Sequence, residues 1–166
     1  RGADLMLAFP ALLLAIITGA VFGASTVTAM VAIGIAGIPG FARVARAGTL
    51  QVMTQDYIAS ARVSRVPGLV IAVRHVLPNI GGVIVVQASV AFALAILAEA
   101  ALSFLGLGTS PPDPSWGRML QSAQASLGSA PQLALWPGLA IAVTVLGFNL
   151  FGDGLRDALD PHRSRR

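Results

Sequence analysis

Apolar sequence runs almost unbroken through this chain, and its few polar interruptions divide it into elements. After Asp4 no formal charge appears until Arg43. A helix crossing hydrocarbon needs about 20 predominantly apolar residues, so that stretch is too long for one crossing. Gly23-Ala-Ser-Thr26 breaks it with small, turn-tolerant residues. The pattern predicts spans over about 5–22 and 27–44. A third uncharged run covers 76–98 and is closed by Glu99, and a fourth covers 132–152, with Trp136 as an interfacial anchor near one end. Gly34, Gly37 and Gly40 in the second span suit close helix packing. Pro39 is expected to kink that helix or end its regular part.

The longest polar interruption lies between Arg43 and Pro78. Thr54 or Gln55 can start a short helix there, and Asp56 in its first turn suits the positive end of the helix dipole. Ile58, Ala61 and Arg65 fall on one face at helical spacing. Tyr57, Ile58, Val63 and Val66 are spread around the helix, a poor pattern for a lipid anchor but compatible with burial on more than one side. Pro67 breaks this helix and suits the first turn of the next, which runs into the third span, with Pro78 in that span's first turn. Residues 105–131 read as an irregular loop rich in proline and glycine, with a short helix over 117–125.

Composition agrees with a membrane protein. The 166 residues are 55% hydrophobic and 11% charged, against about 25% charged in soluble domains. Mean hydropathy is +0.79. The net charge of +4 sets eleven arginines, with no lysine, against seven acidic residues. A Walker A loop needs its lysine to reach the β- and γ-phosphates, so this chain does not bind ATP by that route. Without cysteine, disulfides, iron–sulfur clusters and thiolate metal sites are excluded. His75 and His162 lie far apart, without obvious further metal ligands. The arginines flank apolar spans, which points to membrane topology and away from nucleic acid.

Arginine placement also sets orientation. Arg43, Arg46, Arg62, Arg65 and Arg74 lie in the insert, and Arg156, Arg163, Arg165 and Arg166 in the tail. The turn at 23–26 carries none, and the 105–131 loop only Arg118. The positive-inside rule puts insert, tail and both termini of the chain in the cytoplasm. The chain starts at Arg1-Gly-Ala-Asp, without methionine or a signal-peptide pattern, and reads as a fragment lacking earlier spans.

Several stretches, spaced over nearly the whole chain, carry a family resemblance. They are Leu7-Ala-Phe-Pro10, Arg74-His-Val-Leu-Pro-Asn79, Glu99-Ala-Ala-Leu-Ser-Phe-Leu-Gly-Leu-Gly108, Pro114-Ser-Trp-Gly117 and Asn149-Leu-Phe-Gly-Asp-Gly-Leu-Arg-Asp-Ala-Leu-Asp-Pro161. In these the chain resembles the second permease subunit of dipeptide, oligopeptide and nickel ABC importers, in its C-terminal portion. The resemblance implies an all-α polytopic membrane helix bundle with a type I importer permease core. This would be one domain over 1–166, with four spans here and two earlier ones absent. It also implies a multi-pass protein of the bacterial inner membrane. Its partners would be a second permease, two ATPase subunits, a periplasmic substrate-binding protein and the lipid bilayer, with no nucleic acid. No cofactor is expected on this chain, ATP and magnesium belonging to the ATPase.

The resemblance further makes residues 45–78 a coupling segment, the EAA loop, which docks into a cleft of the ATPase. Candidates for that contact are Asp56, Tyr57, Ala59, Ser60, Ala61, Arg62, Arg65, Arg74, His75, Leu77 and Pro78. The family's Glu-Ala-Ala falls on Ala59, Ser60 and Ala61, and its glycine on Arg65. This sequence therefore lacks both the glutamate and the glycine, and Pro67 is expected to supply the turn instead. The 105–131 loop would face the periplasm near the docking site of the binding protein.

Glu99, Ser103 and Trp116 are the translocation or periplasmic-gate candidates. Glu99 is an ionisable group beside an apolar span, a candidate by default, although anchoring the following turn accounts for it more cheaply. Trp116 suits packing or exposed docking. Arg156 sits at helical spacing from Asp153 and Asp160. No catalytic constellation appears, so an enzyme is disfavoured. The alternative class is a channel or scaffold that works without ATP. A channel calls for an aligned polar stripe, whereas Thr18, Thr28, Gln87, Ser89, Thr144 and Asn149 are scattered.

Overall fold

A computed structural model describes residues 10–159. Among these there are helices and no strands. Helix α1 (Ala11–Phe22) is apolar all round and stops at Gly23, whose φ of 90° few other residues adopt cheaply. Residues 5–9 of the predicted first span lie outside the described residues. Ser25 caps α2 (Thr26–Met53), its Oγ accepting from the Thr28 amide at 3.1 Å.

Helix α2 does not end near residue 44. It continues through the buried Pro39 and carries Arg43 and Arg46 on its own last turns. Its 28 residues span about 42 Å, against a hydrocarbon core of about 30 Å. The backbone therefore stays helical beyond both arginines, for longer than a hydrocarbon core requires.

Two short elements follow, α3 (Asp56–Val63) and α4 (Gly68–Ile71). Pro67 is the N-cap of α4, one position before the first turn where it was expected. A π-helical segment (Ala72–Val76) then leads into α5 (Leu77–Phe104), so residues 68–104 form one continuous rod. Pro78 accounts for the change of register. It has no N–H to donate, and its ring crowds the carbonyl four residues back, that of Arg74. The Leu77 amide instead reaches the Ala72 carbonyl, five residues back. Glu99 does not close the third span: it lies inside α5, which continues to Phe104. The last elements are α6 (Trp116–Ala123), a 3₁₀ turn (Gln124–Ser126) and α7 (Gln132–Leu159). Helix α7 continues past the end of the predicted span at residue 152, and Asp153, Arg156 and Asp157 lie on it, in keeping with their helical spacing.

Helix α5 is the hub, packing against α2, α6 and α7, while α1 lies on α2. Small residues set the close crossings. A Cβ at Gly48 would sit 2.9 Å from Ile80 Cγ2, and one at Gly152 would sit 2.6 Å from Ser89 Cβ. Phe92 and Phe148 stack between α5 and α7 with ring centroids 5.6 Å apart. Much apolar surface stays exposed, including Phe22, Val27, Leu150 and Phe151. Thr26–Met53, Gly68–Phe104 and Gln132–Ala158 are long and apolar enough to cross a membrane, and α1 is a shorter apolar helix beside them.

Candidate functional site

At the arginine-rich end, α3 is held across the ends of α2 and the long rod by one side chain above all. Ile58 is fully buried and packs with Ile71, Val76 and Ile80, with Met53, Ala61 and Val66 around them. Burying an isoleucine stabilises by roughly 1.5–3 kcal/mol. Tyr57 adds a polar tie: Asn79 Nδ2 donates to its Oη at 3.2 Å and to the His75 carbonyl at 2.7 Å. The His75 and Tyr57 rings lie 6.1 Å apart. Arg74-His-Val-Leu-Pro-Asn79 is thus the register-shifting and anchoring part of the rod.

The structure brings most of the candidates at this end together. Asp56, Tyr57, Ala59, Ser60 and Arg62 are exposed on α3, Ala61 is half-buried towards the core, and Val63 is 85% exposed. Arg74, Leu77 and Pro78 are exposed and His75 half-buried along the rod. Arg65 does not continue the face of Ile58 and Ala61. It lies beyond the helix, in the left-handed region at φ 55°.

The sharp turn after α3 is made at Arg65, and not by Pro67 as expected. The Val66 amide donates to the Ala61 carbonyl at 3.1 Å, and the Arg65 amide to that of Arg62 at 3.0 Å. These are the two bonds of a Schellman cap, a motif that usually places glycine where Arg65 stands. A side chain in this conformation costs roughly 1–2 kcal/mol.

A second constellation lies at the opposite end of α5. Glu99 Oε1 accepts from Ser103 Oγ at 2.6 Å and from Thr109 Oγ1 at 2.9 Å. The Thr109 amide donates to Ser103 Oγ at 2.9 Å. Thr26 Oγ1 lies 2.9 Å from Thr109 Oγ1. Because the Thr109 proton is directed at Glu99, Thr26 is the donor in that pair. Ser110 Oγ then reaches the Ala24 carbonyl at 2.8 Å. Ser103 and Thr109 are buried and Glu99 half-buried. The network joins the α1–α2 turn, α5 and the following loop.

Gly117 completes this end. A Cβ there would overlap the Ala100 carbonyl oxygen and lie 2.8 Å from Ala100 Cα. Helix α6 therefore rests on the bare backbone of α5. Ser115 starts α6 by accepting from the Arg118 amide at 3.2 Å. Trp116, its first residue, is 40% exposed and does not enter the network. The partners Thr26, Thr109 and Ser110 escaped the reading of the sequence. Their only signal was a recurrence of hydroxyl residues at two turns distant in sequence.

Residues 1–165 match the family of binding-protein-dependent transport system inner membrane components. The chain belongs to that family. It is 47% identical over 161 residues to the glutathione transport system permease proteins GsiD of Escherichia coli O1:K1 / APEC and of Shigella flexneri serotype 5b (strain 8401). The match covers 97% of this chain and 53% of each relative, so the chain spans about half the length of the curated relatives it matches. Its helical membrane bundle is that of a transport component.

The polar residues inside the spans fit a packed bundle. Thr18 donates to the Leu14 carbonyl at 2.9 Å, Ser89 to Val85 at 3.2 Å and Thr144 to Ala140 at 2.7 Å, each within its own helix. No group of three or more metal-ligating residues occurs among the described residues.

Proposed function

We propose that this chain is a permease subunit of an ATP-driven ABC importer for a peptide-like solute, and that α3 couples ATPase motion to the spans. Family membership supports the transport role. The relatives named for glutathione transport support a peptide-like substrate. The observation that carries the coupling role is the seating of Ile58 among Ile71, Val76 and Ile80. A short helix bolted to a continuous rod cannot shift without moving the rod. Force on the exposed Ala59–Ser60 face is then passed to α5, and from α5 to α2 and α7, which pack on it.

In this reading the arginine-rich end is cytoplasmic, with the chain's termini on that side. ATP and magnesium bind a separate ATPase pair, and a second permease covers the exposed apolar faces. The 105–131 loop faces the periplasmic binding protein. Glu99 and Ser103 hold that loop in register for docking and gating and do not touch substrate.

Because the chain has no cysteine, Ser60→Cys creates a single crosslinking position. It is expected to capture the co-expressed ATPase. Capture of lipid alone would contradict the docking role of α3.

A further inference from the structure

Arg65 is the residue whose conformation and surroundings are least explained by this chain alone. Its backbone is strained at φ 55°. Its side chain is exposed, and among the described residues its guanidinium makes no hydrogen bond or ion pair. A strained residue persists where the surrounding structure over-determines it, and such strain clusters at functional contacts. The cap bonds over-determine the backbone here, from Ser64 to Ser60, Arg65 to Arg62 and Val66 to Ala61, at 3.0–3.1 Å. They fix where the guanidinium begins, and nothing among the described residues uses it.

We propose that Arg65 pairs with a carboxylate on the ATPase subunit, so that the surface receiving α3 is acidic at the C-terminal end of the helix. This rests on the coupling reading above and specifies its chemistry. Charge is distributed along α3 in one direction. Asp56 occupies the first turn, and Arg62 and Arg65 the last turn and the cap. Between them, Val63 is 85% exposed, and Ala59 stands exposed four residues before it. The Arg62 guanidinium is turned back to Met53 Sδ at 3.9 Å, so a partner covering this small apolar patch meets Arg65 as the open guanidinium at its edge. An arginine fork matches a carboxylate with two parallel hydrogen bonds, and with more directional specificity than lysine.

Anionic lipid headgroups are the competing source of negative charge. A helix lying in the headgroup region keeps its apolar face free for lipid. Here that face, Ile58 with Ala61, is spent on Ile71, Val76 and Ile80.

The test compares the intact chain with Arg65→Gly, Arg65→Lys and Arg65→Glu, assembled with the ATPase that co-purifies with it. Arg65→Gly removes strain and charge together, so its two readouts are expected to move in opposite directions. Its thermal midpoint rises by about 2–4 °C, while affinity for the ATPase falls about tenfold, a deficit that shrinks as salt is added. Arg65→Lys retains most of the affinity, and Arg65→Glu binds more weakly than Arg65→Gly. ATPase affinity unchanged in Arg65→Gly would overturn the proposal. So would a loss confined to binding of phosphatidylglycerol vesicles with ATPase binding intact. If the unmodified chain binds no ATPase, the coupling reading falls as well; if it binds and Arg65→Gly binds equally, only the pairing of Arg65 falls.

Discussion

Thr109 donates a 2.9 Å hydrogen bond to Glu99 across the junction between α5 and the loop that follows it. The same Glu99 oxygen takes the Ser103 hydroxyl at 2.6 Å. A carboxylate inside an apolar helix costs free energy unless its oxygens are occupied, and here one oxygen organises three chain segments. A double-mutant cycle of Glu99→Ala and Thr109→Val is expected to give a coupling energy of about 1–2 kcal/mol, read from unfolding in detergent micelles. Glu99→Gln keeps an accepting oxygen at the same place. It is expected to lose less than half as much stability and to leave transport intact, as a positioning role requires.

Gly117 has no room for a methyl group against Ala100. Both sides of the contact are backbone of packed helices, so neither yields as a flexible side chain does. Gly117→Ala is expected to destabilise by about 1–3 kcal/mol and to lift α6 from α5. Protease sensitivity between residues 105 and 115 would report the displacement. An equal substitution at Gly128, which has nothing within 4 Å, serves as the control.

Ile58→Ala tests the seat of α3. It leaves a cavity between α3 and the rod and is expected to cost about 2–5 kcal/mol locally. Faster hydrogen exchange in residues 56–66, with the amides of α5 unchanged, would show that α3 has come loose. Transport should fall with it even where ATPase binding survives. Asn79→Ala removes only the tie to Tyr57 and the His75 carbonyl, and is expected to produce a smaller loss of the same kind, about 1 kcal/mol.

The second, third and fourth spans were legible because lipid and a helical bundle impose a simple demand: long apolar runs, closed by charge. That demand fails at element ends. Arg43 and Arg46 announced a boundary, yet α2 continues for two further turns, since an arginine is a good helix former and only its side chain must reach water. Glu99 looked terminal as well, because the hydroxyls that hydrogen-bond it come from Ser103 and from Thr109 ten positions on, a relation no window of hydropathy contains.

The insert was read correctly as helix, turn and helix from Asp56 and Pro67. The turn itself was misassigned. Composition favours proline for a turn, but the left-handed cap depends on hydrogen bonds from residues 65 and 66 to carbonyls 62 and 61. Those bonds can hold an arginine where sequence preference would place glycine. The π-helical register at Ala72–Val76 likewise follows from Pro78, but only once residues 68–104 are known to form one rod.

The measurement that bears most directly on the central claim is solute uptake by reconstituted vesicles. They would hold this chain with its co-purifying permease and ATPase subunits, and the binding protein would be supplied outside. Uptake of a labelled small peptide should require ATP and fall to background when the ATPase is omitted or Ile58 is replaced by alanine. Full uptake without any ATPase would contradict the account.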